Sequence, residues 1–174
     1  MTKIVKTFPN FLSREDWDTV FNDYIRRDRW GYGHWSDMEN PSVSEVPLYW
    51  TQNLSEDDFF NTYMLGMIED ATGMKFKCRD VYTGGNTFGT SGDLHTDSKE
   101  ENNYTFLYHA SPTEWKPMYG GKTSFYPENG ENEYYEFVPN SGLFFDGRVT
   151  HVGEPTTKFF TSMRVCIAFK LILR

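Results

Sequence analysis

Two histidines and one aspartate give this sequence its clearest chemical signal. His95 and Asp97 are separated by one residue, so in an extended strand their side chains project from the same face. His151 follows the apolar segment 143–145, at the point where a returning strand would bring it to the same face. The spacing therefore predicts a metal site with two imidazole ligands and one carboxylate ligand.

Such a ligand set occupies one face of an octahedral ion and leaves the remaining positions open, an arrangement typical of non-haem Fe(II) oxygenases. Arg164 lies thirteen residues beyond His151, inside a strand that otherwise has a core pattern. A buried arginine needs an anionic partner, and its planar fork matches a carboxylate in two hydrogen bonds. That partner is either the remote carboxylate of a bound 2-oxo acid or an Asp or Glu of the chain.

Length and charge limit the classes of protein and partner. The 174 residues predict one domain, and the net charge of −8 without a Lys/Arg-rich run argues against binding nucleic acid. Cys78 and Cys166 are the two cysteines, both in strand-like segments typical of free thiols. No signal peptide or transmembrane run is apparent, so we expect a cytoplasmic protein without a membrane partner. The sequence gives no indication of the oligomeric state.

The first part of the chain predicts helices. Residues 4–8 predict a short edge strand, and Ser13, with Asp16 three residues later, predicts a capped helix with apolar positions at helical spacing. Ser55 is the expected N-cap of a second helix, which Gly73 should end. Between the helices, segment 30–47 has no regular period and predicts a long loop, a plausible lid, that contains His34.

After residue 73 the pattern changes to short strands separated by turns. The predicted strands are 76–82, a strand containing His95, 104–108, 122–126, 134–138, 142–145, 149–152 and 162–173, the last being the longest. We expect Phe76, Cys78, Asp80 and Tyr82 to share a face, and Gly84-Gly85 to end that strand. Helices followed by many short strands predict a mainly β (α+β) sandwich or jelly roll with helices packed on one sheet.

The order of the motifs resembles a known family. The motifs are Tyr82-Thr83-Gly84-Gly85, His95-Thr96-Asp97, Gly120-Gly121-Lys122-Thr123-Ser124-Phe125-Tyr126, His151 and Arg164. Together they resemble the Fe(II)/2-oxoglutarate-dependent dioxygenases, and most closely the prolyl-4-hydroxylase-like branch. The match runs from about residue 76 to 171, and the opening segment 8–13 is also similar to that branch.

The resemblance implies a double-stranded β-helix domain over residues 1–174, with a helical part to about residue 73 and a jelly-roll core from about 74. It implies that His95, Asp97 and His151 are catalytic iron ligands and that Arg164 binds the C5 carboxylate of 2-oxoglutarate. Further pocket candidates are Tyr82, which would hydrogen-bond that carboxylate, with Tyr104, Asn86 and Thr123. The implied cofactors are Fe(II), 2-oxoglutarate and O2, with ascorbate as a further candidate. The implied reaction hydroxylates a C–H bond and releases succinate and CO2.

Several alternatives stay open at this level. Lys158 could bind the co-substrate carboxylate, although its surroundings predict a turn and favour Arg164. His109 could compete as a metal ligand, but it lacks an acidic partner at two-residue spacing and is interpreted as a loop histidine.

Other functions are also conceivable on the same fold. A non-catalytic jelly-roll module could keep the metal triad, but it would not need the buried Arg164. Other cupin-like enzymes usually have three or four histidine ligands, whereas the four histidines here are widely scattered. Asp97 argues against a halogenase, and the net charge argues against a nucleic-acid demethylase. Segment 30–52 has no recognisable signature, so the substrate stays open between a peptidyl proline, a free amino acid and another small molecule.

Overall fold

The computed structural model describes residues 4–34, 48–112 and 114–174. In these ranges the chain forms ten strands in two antiparallel sheets. The seven-stranded sheet contains, in spatial order, β1 (Lys6–Phe8), β8 (Gly142–Asp146), β5 (Asn103–His109), β10 (Arg164–Leu173), β4 (Phe76–Asn86), β3 (Tyr49–Asn53) and β2 (Gly31–His34). The three-stranded sheet contains β7 (Glu133–Tyr135), β6 (Thr123–Tyr126) and β9 (Thr150–Gly153).

Two helical segments cover one face of the larger sheet. Helix α1 (Arg14–Thr19) continues as a π-helix (Val20–Ile25), and a second π-helix (Phe59–Met64) leads into α2 (Leu65–Thr72). Their apolar side chains form one buried cluster with the sheet, which includes Val20, Phe60, Met64, Ile68, Phe106, Ile167 and Phe169. The predicted jelly-roll fold with helices on one sheet is confirmed. The part of the chain expected to be helical also contributes β1, β2 and β3 to the larger sheet.

The predicted helix ends are right at two of three positions. Ser13 caps α1, since its side chain accepts a hydrogen bond from the backbone N–H of Asp16, and Gly73 ends α2 in the left-handed conformation. The N-cap prediction for Ser55 is wrong. Its hydroxyl lies 2.7 Å from a carboxylate oxygen of Asp80 and accepts a hydrogen bond from the N–H of Val81, so Ser55 fastens the loop to β4 instead.

Strand β4 differs from its prediction in two ways. It is the longest strand, with eleven residues, because it continues through Gly84-Gly85 to Asn86. A Cβ at Gly85 would lie 2.8 Å from the Trp30 ring, so glycine is needed here for close packing and not for a chain break. The prediction of one shared face is also wrong, because a register shift opposite Lys170 and Leu171 leaves Arg79 unpaired and reverses the alternation beyond it.

The remaining strands correspond to the predictions with small changes at their ends. The largest change is in β7, which ends three residues before the predicted residue 138. The strand expected around His95 is reduced to a single bridge, in which His95 pairs with His151. Residues 31–34 of the predicted loop form β2, and residues 35–47 lie outside the described residues.

The space between the two sheets positions the candidate site. Along β10, Val165, Ile167, Phe169 and Leu171 pack towards the helices, whereas Arg164, Cys166, Ala168 and Lys170 line a pocket on the opposite face. Strands β6 and β9 of the smaller sheet contribute Thr123 and His151 to the other wall of this pocket. None of the helices in the described ranges is long and apolar enough to cross a membrane.

Candidate metal centre

The structure brings the three predicted ligands together. Nε2 of His95 lies 3.3 Å from Oδ1 of Asp97, and Nε2 of His151 lies 3.7 Å from Oδ2 of the same carboxylate. One ligand atom from each residue can be chosen so that all three lie within 4.8 Å of one another. The mutual backbone hydrogen bonds of His95 and His151, at 2.9 and 3.0 Å, hold the two imidazoles side by side.

The second nitrogen of each imidazole is engaged by the backbone. Nδ1 of His95 lies 2.7 Å from the carbonyl oxygen of Asp93, and Nδ1 of His151 lies 2.9 Å from the carbonyl oxygen of Val149. A carbonyl only accepts hydrogen bonds, so each Nδ1 carries the proton and each Nε2 keeps a free lone pair. Both lone pairs and the Asp97 carboxylate face one another, and this donor set fits a divalent iron-type cation.

Burial keeps His151 in its neutral form. The His151 ring is buried, and its loss of hydration lowers the pKa of His151 to about 4. The nearby Asp97 carboxylate acts in the opposite direction and raises this pKa, but its effect is smaller. Phe125 and Phe145 pack against the ring, with centroid distances of 5.6 and 4.8 Å. A neutral imidazole can bind a metal, so this environment keeps His151 competent as a ligand at neutral pH.

The Asp97 carboxylate is held from both sides. Nζ of Lys170 lies 2.6 Å from Oδ1, and the hydroxyl of Thr105 donates a hydrogen bond to Oδ2 at 2.5 Å. Burial alone would raise the pKa of Asp97, but the ammonium group of Lys170 holds that pKa well below its usual range. The carboxylate is therefore ionised and oriented before any cation binds.

Arg164 lies at the other end of the pocket and is only 3% exposed. Its Nε donates to the carbonyl oxygen of Gly121 at 2.7 Å, and Nη2 donates to the hydroxyl of Thr123 at 3.5 Å. The guanidinium lies over the ring of Phe137, 4.9 Å from the centroid. Among the residues that the structure describes, no Asp or Glu forms an ion pair with it, which removes the salt-bridge alternative within those ranges.

Asn86 is the cross-strand neighbour of Arg164 and also lines the pocket. Its Nδ2 is buried without a hydrogen-bond acceptor in the described part of the protein. A buried N–H donor without an acceptor costs free energy unless a ligand completes it. Arg164, Thr123 and Asn86 thus form a polar end of the pocket that suits a carboxylate.

The two tyrosines predicted to bind the co-substrate are positioned differently from expectation. Tyr82 lines the pocket, but it pairs with Ala168 rather than Arg164, and Nζ of Lys170 lies 5.6 Å from its ring centroid. Its position is therefore at the Asp97 end. Tyr104 points to the opposite face of β5, where its ring stacks on Phe144 at 5.2 Å, because alternate residues of a strand face opposite sides. This placement does not support a pocket role for Tyr104.

The remaining candidates are outside the metal centre. Lys158 lies in an exposed turn, as predicted, and is not one of the residues that line the pocket. His109 is not a loop histidine but the last residue of β5, fully buried and stacked on Phe137 at 4.4 Å. His34 lies on β2, and its ring packs 5.2 Å from Tyr49, which lines the pocket.

Lys170 and Thr105 are site residues that the sequence did not reveal, and Lys170 left a signal. It is the one charged residue between Val165 and Leu173 in an apolar strand, six positions beyond Arg164. An even separation puts both side chains on one face of a strand, and that signal could have identified it.

Similarity searches by sequence return nothing, since no family model and no curated protein matches the chain. Structural comparison does find neighbours. A prolyl hydroxylase from Trichoplax adhaerens, in complex with a hypoxia inducible factor peptide fragment, superposes with a TM-score of 0.77 at 16% identity, over 98% of this chain and 84% of the other. A prolyl-4-hydroxylase from Pseudomonas putida superposes with a TM-score of 0.74 at 15% identity, over 99% and 94% of the two chains.

The chain has the fold of the 2-oxoglutarate oxygenases. The alpha-ketoglutarate-dependent epimerase SnoN from nogalamycin biosynthesis shares it as well, with a TM-score of 0.70 at 10% identity over 97% of this chain and 77% of the other. At these identities the likeness concerns the fold.

Proposed function

We propose that this protein is an Fe(II)- and 2-oxoglutarate-dependent oxygenase that hydroxylates a C–H bond and releases succinate and CO2. The observation that carries the proposal is one pocket with His95, Asp97 and His151 at one end and the buried Arg164, without an acidic partner in the described chain, at the other. When bound, Fe(II), 2-oxoglutarate and O2 would supply the oxidising chemistry.

Each group of residues has a separate task in this proposal. The Nε2 atoms of the two histidines and the Asp97 carboxylate would hold the iron, with their backbone and hydroxyl partners fixing their orientation. Arg164, with Thr123 and Asn86, would bind the remote carboxylate of the co-substrate. Cys166 and Ala168 lie between Arg164 and Lys170 on the pocket face of β10, and their small side chains leave space for the co-substrate.

The proposal includes peptidyl and small-molecule substrates. The structural neighbours include a prolyl hydroxylase in complex with a peptide and an epimerase from nogalamycin biosynthesis, which support both classes. Ascorbate would serve as a reductant that returns the iron to Fe(II). We also propose a cytoplasmic location, because both cysteines are free and a reducing compartment keeps them so.

The test is an anaerobic titration of the metal-free protein with Fe(II) and then with 2-oxoglutarate. We expect a weak visible charge-transfer band from the chelated 2-oxo acid, which saturates with increasing co-substrate. Arg164→Ala should raise the co-substrate concentration needed by about 100-fold, since a charge-assisted pair is lost. Lys158→Ala is the matched control, because it removes a cation from an exposed turn near the same strand.

Three outcomes separate the hypotheses. A saturating band that weakens in Arg164→Ala and not in Lys158→Ala supports the proposal. Bound iron without a band supports the non-catalytic metal module. A band that weakens in Lys158→Ala instead means that Lys158 binds the co-substrate carboxylate.

A further inference from the structure

Lys170 is a buried lysine that a three-ligand metal site does not require. It is 7% exposed, and its Nζ lies 2.6 Å from Oδ1 of Asp97, which the proposed function assigns to the metal. It also shares the pocket-lining face of β10 with Arg164. The donor set of two imidazoles and a carboxylate is complete without it.

The groups around Lys170 show how the lysine changes the net charge of the candidate metal site. Besides Asp97, the groups that face its Nζ include the ring of Tyr82 at 5.6 Å, and the hydroxyl of Thr105 holds the other carboxylate oxygen. An imidazole that binds a metal through Nε2 is an uncharged ligand, so Lys170 offsets the single negative charge of the ligand set. With Lys170 present, a bound divalent cation, the Asp97 carboxylate and the ammonium group would together carry a net charge of about +2. Without the lysine, the cation and the carboxylate would carry about +1.

We propose that Lys170 is a positioning and charge-compensating residue that makes the metal site prefer a cation together with an anionic chelator over the cation alone. The inference rests on the proposed function, because it takes the three residues as metal ligands. The ammonium group repels the cation, since like charges a few ångströms apart in a poorly hydrated site interact strongly. The same charge attracts the carboxylates of a 2-oxo acid, so the metal and the chelator bind cooperatively.

Cooperativity of this kind is reciprocal. If Lys170 makes the chelator raise the affinity for the metal, the metal must raise the affinity for the chelator by the same factor. The orientation that Lys170 gives to Asp97 would by itself strengthen metal binding, so the orienting effect and the charge effect have opposite signs. We expect the charge effect to dominate, because Thr105 still holds the carboxylate when the lysine is removed.

The experiment is a calorimetric titration of metal-free protein with Mn(II), first alone and then with 2-oxoglutarate present. Lys170→Met should bind Mn(II) alone about tenfold more tightly, and the Mn(II)-loaded variant should bind 2-oxoglutarate about tenfold more weakly. Lys170→Gln, which keeps a hydrogen-bond donor, should change both affinities in the same directions. Lys170→Arg keeps the charge and should stay close to wild type.

Lys75→Met is the matched control. The exposed Lys75 forms a 2.8 Å ion pair with Glu69, and neither residue lines the pocket, so the variant loses one ion-paired lysine and the same net charge outside the site. It should leave both affinities unchanged. If Lys170→Met fails to fold, Lys170→Gln and Lys170→Arg still decide the question, because they differ in charge and both can hydrogen-bond to Asp97.

The signs of the two changes distinguish the explanations. A loss of both affinities in Lys170→Met and Lys170→Gln means that the lysine has only a structural role, and unchanged affinities mean that it has none. Either result overturns this inference while leaving the oxygenase proposal intact. Wild-type protein that binds neither Mn(II) nor 2-oxoglutarate would overturn both.

Discussion

Two buried cations on one strand differ in their partners. Lys170 and Arg164 face the same pocket from β10, and both are nearly inaccessible to water. Lys170 forms a 2.6 Å ion pair with Asp97, whereas Arg164 contacts a carbonyl, a hydroxyl and an aromatic ring but no acid of the described chain. Because a buried charge is costly without a counter-charge, the two positions have different explanations.

The difference assigns separate tasks to the two ends of the pocket. At the Lys170 end the protein balances its own charges, and the Nδ1 atoms of both histidines are engaged by backbone carbonyls. At the Arg164 end the positive charge has no acidic counter-charge among the described residues. His109, which stacks on the same Phe137 ring as Arg164, stays neutral because its burial and the nearby guanidinium both lower its pKa.

The largest expected effect comes from breaking the ion pair between Asp97 and Lys170. Asp97→Ala should abolish metal binding, and it should lower the free energy of unfolding by about 3–5 kcal/mol because Lys170 remains buried without its counter-charge. Calorimetry with Mn(II) and denaturant unfolding of the metal-free protein measure the two effects. The double variant Asp97→Ala/Lys170→Met should recover much of the stability but no metal binding. Equal stability of the single and double variants would show that the unpaired charge of Lys170 does not cause the loss.

The second prediction concerns charge at the Arg164 end. The pKa of His109 is lowered from 6.5 to about 3, with burial as the main cause. Between pH 6.5 and about pH 3, His109 is protonated in the unfolded chain and neutral in the folded protein. The free energy of unfolding therefore falls as the pH decreases through this range. From pH 7 to pH 5 this group should cost about 2 kcal/mol. In His109→Asn, unfolding measurements should show a pH dependence that is flatter by that amount, and an identical slope would contradict the neutral buried state.

A smaller effect should follow from moving Arg164 without removing it. Gly121 has φ +76°, and a Cβ there would lie 2.8 Å from Cδ of Arg164. Gly121→Ala should therefore weaken 2-oxoglutarate binding by about tenfold, with unchanged Mn(II) affinity. Gly73→Ala is the control for backbone strain alone, since Gly73 has φ +74° and open space around its Cβ position. Equal losses of co-substrate affinity in both variants would rule out the contact with Arg164 as the cause.

The smallest expected effect tests which residues belong to the pocket. Tyr104→Phe should leave 2-oxoglutarate affinity unchanged, because its ring lies on the helix-facing side of the larger sheet. The side-chain amide of Asn86 lies beside Arg164 and has no hydrogen-bond acceptor in the described chain. Asn86→Ala removes this amide and should weaken 2-oxoglutarate affinity. The charge-transfer titration measures both. If Tyr104→Phe loses more 2-oxoglutarate affinity than Asn86→Ala, Tyr104 contributes to the co-substrate site.

The faces on which several pocket residues lie were predictable, because side chains alternate between the two faces of a strand. The separation of His95 and Asp97 by one residue indicated a shared direction, and the apolar residues around Arg164 indicated a buried cation. Ser13 and Gly73 were recognised as helix ends because their capping interactions involve residues close in sequence. The sequence by itself thus determined the jelly-roll class and the burial of Arg164, and it predicted the three candidate metal ligands.

Tertiary structure decided which partner each buried group received. The unpaired Arg79 in β4 reversed the faces of the residues after it, and Ser55 bonded to β4 instead of capping a helix, because both depend on a neighbouring strand distant in sequence. The contact between Lys170 and Asp97 likewise joins residues that are far apart in the sequence. Sequence alternation states which way a side chain points, but only the packing of strands across a sheet states what it meets there.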